Sequence, residues 1–198
     1  MADSLAPDAV KPLLRGRFGQ VYRYDELPES TQRLLGEDDP EGAIAVAEEQ
    51  SAGRGRLGRS WHAPARTSVL VSVLLRPAVT PSRLPELSLI AGGAVAEAIK
   101  AVTGLEPAIK FPNDVLIGGR KVAGVLAESS EGRVVLGVGV NANQTEEQLP
   151  LDAQTEPTSL RLELGEPVDR RTLLAEILLR LEGAYDTWVA STGSAVSG

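Results

Sequence analysis

The amino-acid sequence predicts an α+β fold with a mixed, largely antiparallel β-sheet flanked by helices. Three strand patterns joined by glycine-containing turns occupy residues 115–142, which is typical of an antiparallel meander. Apolar residues at helical spacing predict two long amphipathic helices, one at 82–103 and one near the C-terminal end. Strands and helices do not alternate one for one, so a parallel βαβ sheet is not expected.

The first 76 residues predict short strands around one long loop. The segments 19–24 and 43–49 have strand patterns, and the nearly continuous apolar run at 69–76 indicates a strand buried on both faces. Residues 50–67 show no helical or strand period, so we expect a loop there. Before it, a Ser-Thr pair at 30–31 precedes a short helical pattern and is a suitable N-cap.

The second half of the chain predicts the meander and the last helix. A short strand is expected at 108–111, followed by strands at 115–117, 121–129 and 134–142. The turn at 118–120 contains two glycines, which can supply the positive φ that a tight hairpin needs. The C-terminal helix is expected to present one apolar stripe, made of Leu173, Leu174, Ile177, Leu178, Leu181, Ala184, Tyr185 and Trp188.

The composition excludes several classes of protein. The 198 residues contain no apolar run long enough for a membrane helix and begin without the apolar core of a signal peptide. There is no cysteine, which excludes a disulfide scaffold, a thiolate metal site and a cysteine nucleophile. A formal net charge of −7 disfavours general nucleic-acid binding. We expect a cytoplasmic protein without membrane or nucleic-acid partners, with a loose lead-in at 1–18, one domain at 19–190 and a flexible tail at 191–198.

The predicted loop concentrates arginine in an acidic chain. Arg54, Arg56, Arg59 and Arg66 lie within SAGRGRLGRSWHAPAR, which has no acidic residue. GRGRLG fits G-x-G-x-x-G and, extended, approximates a Walker A sequence, but no helical pattern follows, so neither phosphate-binding motif is expected. Glycine allows close backbone approach and guanidinium groups suit carboxylates and phosphates. The loop is predicted to order over an anionic ligand; a solvated surface loop is the alternative.

The meander contains a second unusual cluster. Strict alternation along the strand at 121–129 places Lys121 on the face of Ala123 and Val125, and Gly124 on the opposite face. Three small or polar residues share one face of the next strand: Gly137, Gly139 and Asn141. Such a face can form a smooth floor for a ligand, although a bulge or close helix packing would use the same glycines. Lys121 is then either a solvated edge residue or a cation directed into a pocket.

Together the two clusters resemble the catalytic domain of biotin protein ligases. The family pattern GRGRxGRxW is matched by GRGRLGRSW at 53–61, and KWPNDV…KxxGIL by KFPNDVLIGGRKVAGVL at 110–126. GxGxN is matched by GVGVN at 137–141, and Ser-Thr-Asn by STQ at 30–32. The resemblance covers roughly 19–190 and implies the fold shared with class II aminoacyl-tRNA synthetases and lipoate ligases.

The resemblance implies an ATP-dependent biotin–protein ligase. In this chemistry the biotin carboxylate attacks the α-phosphorus of MgATP and gives biotinyl-5′-AMP and pyrophosphate. The adenylate then acylates a lysine of a biotin carboxyl carrier protein or domain. Because two anions must meet, fixed cations are needed to offset their repulsion. Biotin is a substrate, ATP and Mg²⁺ are co-substrate and ion with unassigned metal ligands, and no tightly bound prosthetic group is expected.

The same resemblance implies roles for individual residues. The catalytic residues are Lys121, Arg54 and Asp114, with Lys121 expected to touch the biotin carboxylate and the reacting phosphate. The implied biotin-binding residues are Ser30, Thr31, Gln50, Gly53, Arg54, Arg56, Trp61, Lys121 and Gly124. The implied ATP-binding residues are Arg54, Arg56, Arg59, Trp61, Lys110, Asn113, Lys121 and Asn141.

The sequence also departs from the family pattern. Gln32 replaces an asparagine and Phe111 replaces a tryptophan, while the lone His62 is expected to be structural or exposed. We find neither an N-terminal helix-turn-helix, so no operator binding is expected, nor the small C-terminal β-barrel usual in the family. A monomer or a homodimer is expected. Two alternative functions stay open: a non-catalytic biotin or adenylate binder, and a lipoate or octanoate ligase on the same fold.

Overall fold

A mixed seven-stranded sheet runs through the computed structural model, which describes residues 3–151 and 153–193. Its strands are β1 (Tyr22–Asp25), β2 (Ile44–Ala47), β3 (Ser68–Leu75), β4 (Ala108–Lys110), β5 (Asp114–Ile117), β6 (Arg120–Ser130) and β7 (Arg133–Asn141). Their spatial order is β1-β2-β3-β7-β6-β5-β4. Only β1 and β2 pair in parallel, and the other neighbours in this sheet are antiparallel. The predicted α+β class and the largely antiparallel sheet are confirmed.

Two long helices cover one face of this sheet. The helices of the described residues are α1 (Pro7–Val10), α2 (Glu86–Thr103), α3 (Leu160–Leu164) and α4 (Arg170–Gly193). Helices α2 and α4 pack on each other and bury the predicted apolar stripe of α4 together with side chains of β3, β6 and β7. Helix α2 begins later than predicted, because a separate 3₁₀ turn at Pro81–Arg83 and Pro85 precede it. None of the helices described is long and apolar enough to span a bilayer.

The opposite face of the sheet carries a 3₁₀ turn at Thr31–Leu34 and the arginine-rich segment 50–67. The Ser30 side chain caps the turn by accepting a hydrogen bond from the Gln32 N–H, as predicted. The hydroxyls of Thr31 and Ser72 lie 2.8 Å apart and join the turn to β3. Every residue of β3 is buried, because the helices cover one side and this turn and its neighbours cover the other. The strand predicted to be buried on both faces is confirmed.

The N-terminal lead-in is not loose, contrary to the sequence-based prediction. Leu5, Val10 and Phe18 are buried in the main core, and α1 packs against α4. These apolar residues are too irregularly spaced to show a period in the sequence, yet they cover apolar surface that would otherwise face water. At the other end, α4 continues through Gly193 into the predicted tail. The rest of that tail, 194–198, lies outside the described residues.

A buried ion pair fastens the lead-in to the domain. The Arg170 guanidinium, at the start of α4, lies 2.8 Å from a carboxylate oxygen of Glu48 and 2.8 Å from one of Asp3. It also donates to the Ser68 carbonyl oxygen at 2.9 Å. Glu48 in turn accepts the Leu5 N–H at 2.7 Å. The lead-in, β2, β3 and α4 are therefore joined at one buried point.

Candidate active site

Two glycine-bearing strands form the floor of a cavity on the sheet face opposite the helices. Gly124 of β6 opposes Gly139 of β7, and both line this first cavity with Gly137. A Cβ atom built on Gly139 would lie 2.6 Å from the Trp61 indole, and one built on Gly124 would lie 3.0 Å from it. The indole can rest on the floor only because these side chains are missing. The prediction that Gly137 and Gly139 share one face of their strand is confirmed, and that face lines the cavity.

A β-bulge lies where β6 begins to pair with β5. Leu116 opposes Lys121, but the preceding residue of β5, Val115, opposes Ala123. Val122 is therefore an extra residue without a partner on β5, and it is fully buried. An inserted residue of this kind breaks the two-residue alternation of a strand and redirects the side chains that precede it.

The bulge places Lys121 on the same face as Gly124. The Lys121 Nζ atom would lie 3.3 Å from a Cβ built on Gly124, whereas Ala123 and Val125 are buried in the core on the other face. The prediction that Lys121 shares a face with Ala123 and Val125 is therefore wrong. Strict alternation misplaced this lysine because the sequence gives no direct sign of the bulge.

Lys121 is held firmly at the cavity wall. Its N–H donates to the Glu156 carbonyl oxygen at 2.7 Å, and its own carbonyl oxygen accepts the Thr158 N–H at 2.8 Å. Its Nζ atom lies 2.7 Å from Asp114 Oδ1 and 5.4 Å from the centroid of the Trp61 ring. The lysine side chain is only 23% exposed, so this ammonium is partly withdrawn from water. The result is a positioned cation with a carboxylate beside it.

The arginine loop, residues 50–67, folds into a narrow hairpin over the cavity. The Trp61 N–H donates to the Gly53 carbonyl oxygen at 2.9 Å, and the Gly55 N–H donates to the Arg59 carbonyl oxygen at 2.7 Å. A Cβ atom on Gly53 would lie 2.3 Å from the Trp61 carbonyl oxygen, so the close approach requires glycine. Gly58 takes a positive φ of 74° at the tip. The loop leads into β3 rather than into a helix, so the nucleotide motifs are correctly rejected.

Two arginines of the loop point toward the strands of the meander. The Arg54 guanidinium makes a two-pronged ion pair with Glu128 of β6, with N···O distances of 2.7 and 2.8 Å. Arg56 Nη1 donates more weakly to Asn113 Oδ1, at 3.4 Å. Both arginines line the first cavity. Because these contacts are partly exposed, an anionic ligand can compete for the guanidinium groups.

A polar group closes the far end of the first cavity. The Thr31 N–H donates to Gln50 Oε1 at 2.8 Å, and the Thr31 hydroxyl donates to the same atom at 3.2 Å. Ser30 and Gln32 also line this end. The cavity therefore joins a polar end, a glycine floor and a cationic end at Lys121.

A second cavity adjoins the first at its cationic end. The two share Arg59, Ser60, Trp61 and Lys121 as common walls. The second cavity is also lined by Asn141, by the exposed His62 and by residues of the segment 150–157. Arg59 Nη1 donates to Gln154 Oε1 at 2.8 Å, which ties the arginine loop to that segment.

The structure brings most of the predicted site residues together. The first cavity is lined by Ser30, Thr31, Gln50, Arg54, Arg56, Arg59, Trp61, Asn113, Asp114, Lys121 and Gly124. Asn141 lines only the second cavity, where its side-chain amide donates to the Thr158 carbonyl oxygen at 3.0 Å. Gly53 and Lys110 line neither: Gly53 acts through its backbone, and Lys110 donates to the Thr155 hydroxyl at 2.9 Å. The roles of all these residues stay predictions.

Sequence reasoning missed two features of the site. Glu128, the partner of Arg54, is separated from Gly124 by an even number of residues, so strand alternation could have placed it on the cavity face. The segment 156–158, which holds the backbone of Lys121, has no sequence signal that we recognise. Across 3–151 and 153–193, no group of three or more His, Cys, Asp or Glu residues could hold a metal ion, so the structure assigns no protein ligand to the Mg²⁺ that the sequence resemblance implies.

Comparisons with known proteins point to one family. The model of the Biotin/lipoate A/B protein ligase family matches residues 26–144. A bifunctional ligase/repressor BirA of Bacillus spizizenii is 38% identical over 177 residues, which are 85% of this chain and 54% of that protein. A biotin–[acetyl-CoA-carboxylase] ligase of Mycobacterium tuberculosis is 43% identical over 155 residues, which are 76% of this chain and 56% of that protein. The chain thus spans about half the length of these curated relatives.

A solved structure shares the same fold. The biotin protein ligase from Aquifex aeolicus, in complex with biotin and ATP, superimposes with a TM-score of 0.79 at 32% identity. The match covers 87% of this chain and 73% of that one. The family model, matched over more than half of the chain, spans the capped turn, the arginine loop and the meander that build the first cavity. On these grounds the chain belongs to the biotin/lipoate A/B protein ligase family.

Proposed function

We propose that this chain is the catalytic part of an ATP-dependent biotin–protein ligase. One observation carries the proposal: Lys121, a positioned and partly desolvated cation, is a wall of two adjoining cavities. Two negatively charged reactants, one in each cavity, would meet at this ammonium. The names of the relatives, which include biotin–[acetyl-CoA-carboxylase] ligase, and the similar structure in complex with biotin and ATP supply the identity of the reactants.

Biotin fits the first cavity by its chemistry. The polar end at Thr31 and Gln50 offers donors and acceptors for the ureido ring, and the Trp61 indole, which rests on the glycine floor, offers an apolar surface for the ring and chain. The carboxylate then lies at the cationic end, near Lys121 and the arginines of the loop. The triphosphate of MgATP occupies the second cavity, where Arg59 and Lys121 lie on the shared wall.

In the first step a biotin carboxylate oxygen bonds to the α-phosphorus of ATP. The bond from that phosphorus to the bridging oxygen breaks, and pyrophosphate leaves with the bonding electrons. Lys121 offsets the charge that both reactants bring together, and it contributes to the rate to the extent that it binds the transition state more tightly than the ground state. Biotinyl-5′-AMP remains beneath the arginine loop.

In the second step a lysine amine of a biotin carboxyl carrier protein or domain attacks the adenylate carbonyl carbon. An amide bond forms, AMP leaves, and the attacking nitrogen loses a proton. Asp114 lines the first cavity and lies 2.7 Å from Lys121, so its carboxylate can orient the ammonium in the first step and accept the proton in the second. We further propose that this reaction takes place in the cytoplasm, where ATP and the carrier are available.

Biotin-dependent exchange of labelled pyrophosphate into ATP tests the proposal. We expect exchange that requires biotin, ATP and Mg²⁺, followed by transfer of labelled biotin to a carrier domain of an acetyl-CoA carboxylase. Biotin binding without pyrophosphate exchange would instead identify the protein as a non-catalytic biotin binder. Exchange that depends on lipoate or octanoate, and is not competed by biotin, would identify the other ligase activity of this fold.

A further inference from the structure

The cavity face of β6 and β7 continues beyond the glycine floor into a small cleft. Along this face Glu128 opposes Val135, and Ser130 opposes Arg133. The cleft, here named the arginine cleft, is lined by Gln32, Arg33, Arg54, Glu128, Ser129, Ser130, Arg133 and Val135. Gln32 and Arg54 also line the first cavity, so the arginine cleft lies directly beside it.

The arginine cleft has more cationic than anionic groups. Three guanidinium groups and one carboxylate line it, and the carboxylate of Glu128 is already paired with Arg54. Arg33 forms an ion pair with Glu29, which does not line the cleft, and both side chains are largely exposed. The remaining cation is Arg133.

Arg133 lacks a hydrogen-bond acceptor. Its side chain is only 20% exposed, and its Nη1 atom is buried without a partner among the described residues. Its Nη2 atom lies 3.8 Å from an oxygen of Glu37, which is beyond hydrogen-bond distance, and the Glu37 side chain is 74% exposed. A buried N–H donor without an acceptor costs free energy of folding. The Arg133 guanidinium is therefore suited to donate a hydrogen bond to an acceptor supplied by a ligand.

The second step of the proposed reaction needs an anion in this region. The acceptor lysine must approach a cavity lined by Lys121, Arg54, Arg56 and Arg59, and its own positive charge is repelled by them. An acceptor surface that carries carboxylates near the target lysine offsets this repulsion. A carboxylate is also a good partner for a guanidinium, because the two can form parallel hydrogen bonds.

We propose that the arginine cleft, through Arg133, binds an aspartate or glutamate side chain of the acceptor protein close to the target lysine. The inference rests on the proposed ligase function. It assigns acceptor recognition to Arg133, which lines neither the first nor the second cavity. Free phosphate is the competing occupant, and the experiment below separates the two.

The variant Arg133→Gln removes the charge without removing a hydrogen bond found in the structure. Arg180→Gln is the matched control, because Arg180 is a half-exposed arginine of α4 that pairs with Glu176. For each protein, biotin-dependent pyrophosphate exchange measures the first step, and transfer of labelled biotin to a carrier domain measures the second. Thermal unfolding checks that all three proteins are folded.

We expect Arg133→Gln to leave exchange unchanged and to raise the KM for the carrier about tenfold with little change in kcat, since a lost charge-assisted hydrogen bond has this magnitude. The carrier KM of the unmodified protein should also rise more steeply with salt than that of Arg133→Gln. Arg180→Gln should match the unmodified protein in both steps. A carrier whose acidic residues near the lysine are changed to amides should bind both proteins equally weakly.

Three results would overturn the inference. Normal exchange with an unchanged carrier KM in Arg133→Gln would refute acceptor binding while leaving the ligase function intact. Inhibition of transfer by inorganic phosphate, lost in Arg133→Gln but unaffected by neutralising the carrier, would make the cleft a small-anion site. Absence of exchange in the unmodified protein would refute the ligase function, and the inference with it.

Discussion

Two arginine–glutamate pairs join distant parts of this chain, and they differ in burial. Arg170 and Glu48 are 0% and 2% exposed and connect the lead-in, β2 and the start of α4. Arg54 and Glu128 are 49% and 36% exposed and connect the arginine loop to β6. Both pairs have N···O distances below 3 Å, so geometry alone does not distinguish them.

The difference in burial decides what each pair can do. Breaking a buried pair leaves an uncompensated charge in a medium of low dielectric, so Arg170 and Glu48 are expected to stay paired in the folded protein. An exposed pair is screened by water and contributes about 0.2–1 kcal/mol. It can therefore exchange its partner for a ligand at little cost. The fold is fixed where the lead-in meets the core and adjustable where a ligand is expected.

The largest effect is expected for Arg170→Ala. It leaves Glu48 buried without its cation, and we expect a loss of about 3–5 kcal/mol in the free energy of unfolding. Pyrophosphate exchange per folded molecule should not change, because Arg170 does not line either cavity. Urea unfolding measures the loss, and Arg171→Ala, next to it on α4 but partly exposed, is the control. A loss below about 1 kcal/mol would mean that the pair is not buried in solution.

The next effect concerns rate rather than stability. Lys121→Ala should fold normally yet lose at least about 100-fold in biotinyl-adenylate formation, the usual loss for one positioned charge contact. Single-turnover formation of labelled adenylate measures this rate. Lys100→Ala removes an exposed lysine of α2 and should behave as the unmodified protein. An unchanged rate in Lys121→Ala would refute the central assignment.

Gly139→Ala tests the floor itself. The new methyl group would lie 2.6–2.9 Å from three atoms of the Trp61 indole, so the ring must move off the floor. Overpacking of this kind costs about 1–3 kcal/mol, and we expect it to appear as a higher KM for biotin and altered tryptophan fluorescence. Gly183→Ala, in α4 with open space around it, is the matched control. Normal biotin binding with unchanged fluorescence would show that the ring does not lie there.

The smallest effect is expected for Glu128→Gln. It removes the carboxylate that competes with a ligand for Arg54 but keeps the shape of the side chain, so release of the adenylate should slow at most about fivefold. Pulse-chase release of labelled adenylate measures the change, and salt should speed release from the variant more than from the unmodified protein, because only the variant lacks the competing carboxylate. A 100-fold change in the release rate would mean that the Arg54–Glu128 pair is as tightly held as the buried Arg170–Glu48 pair, and would contradict the comparison.

The sequence motifs and the regular alternation of β7 were predictable from the sequence. The bulge in β6 and the contacts between distant residues were not. The shared face of Gly137 and Gly139 was predicted correctly because β7 alternates without interruption. Lys121 was placed on the wrong face because the extra residue Val122 has no sequence signature. The Arg170–Glu48 pair joins residues 122 positions apart, and no local pattern reports such a contact.

The prediction of a loose lead-in at 1–18 was wrong for the residues that the structure describes there, 3–18, and for a related reason. Its buried residues, Leu5, Val10 and Phe18, follow no helical or strand period, so their burial depends on surfaces formed by the rest of the chain. Tertiary contacts of this kind override weak local preferences. The same limit applies to Glu156 and Thr158, whose backbone holds Lys121 but whose sequence context is unremarkable.

The extra residue in β6 also has a consequence for the tolerance of this region to change. Removing Val122 would make the pairing of β6 with β5 regular, and Lys121 would then stand two positions before Gly124 and keep the cavity face. The bulge is thus needed because an odd number of positions separates the lysine from Gly124, and the residue that absorbs the difference is a buried valine. A one-codon deletion there should leave the charge in the cavity and act mainly by removing one buried side chain from the core.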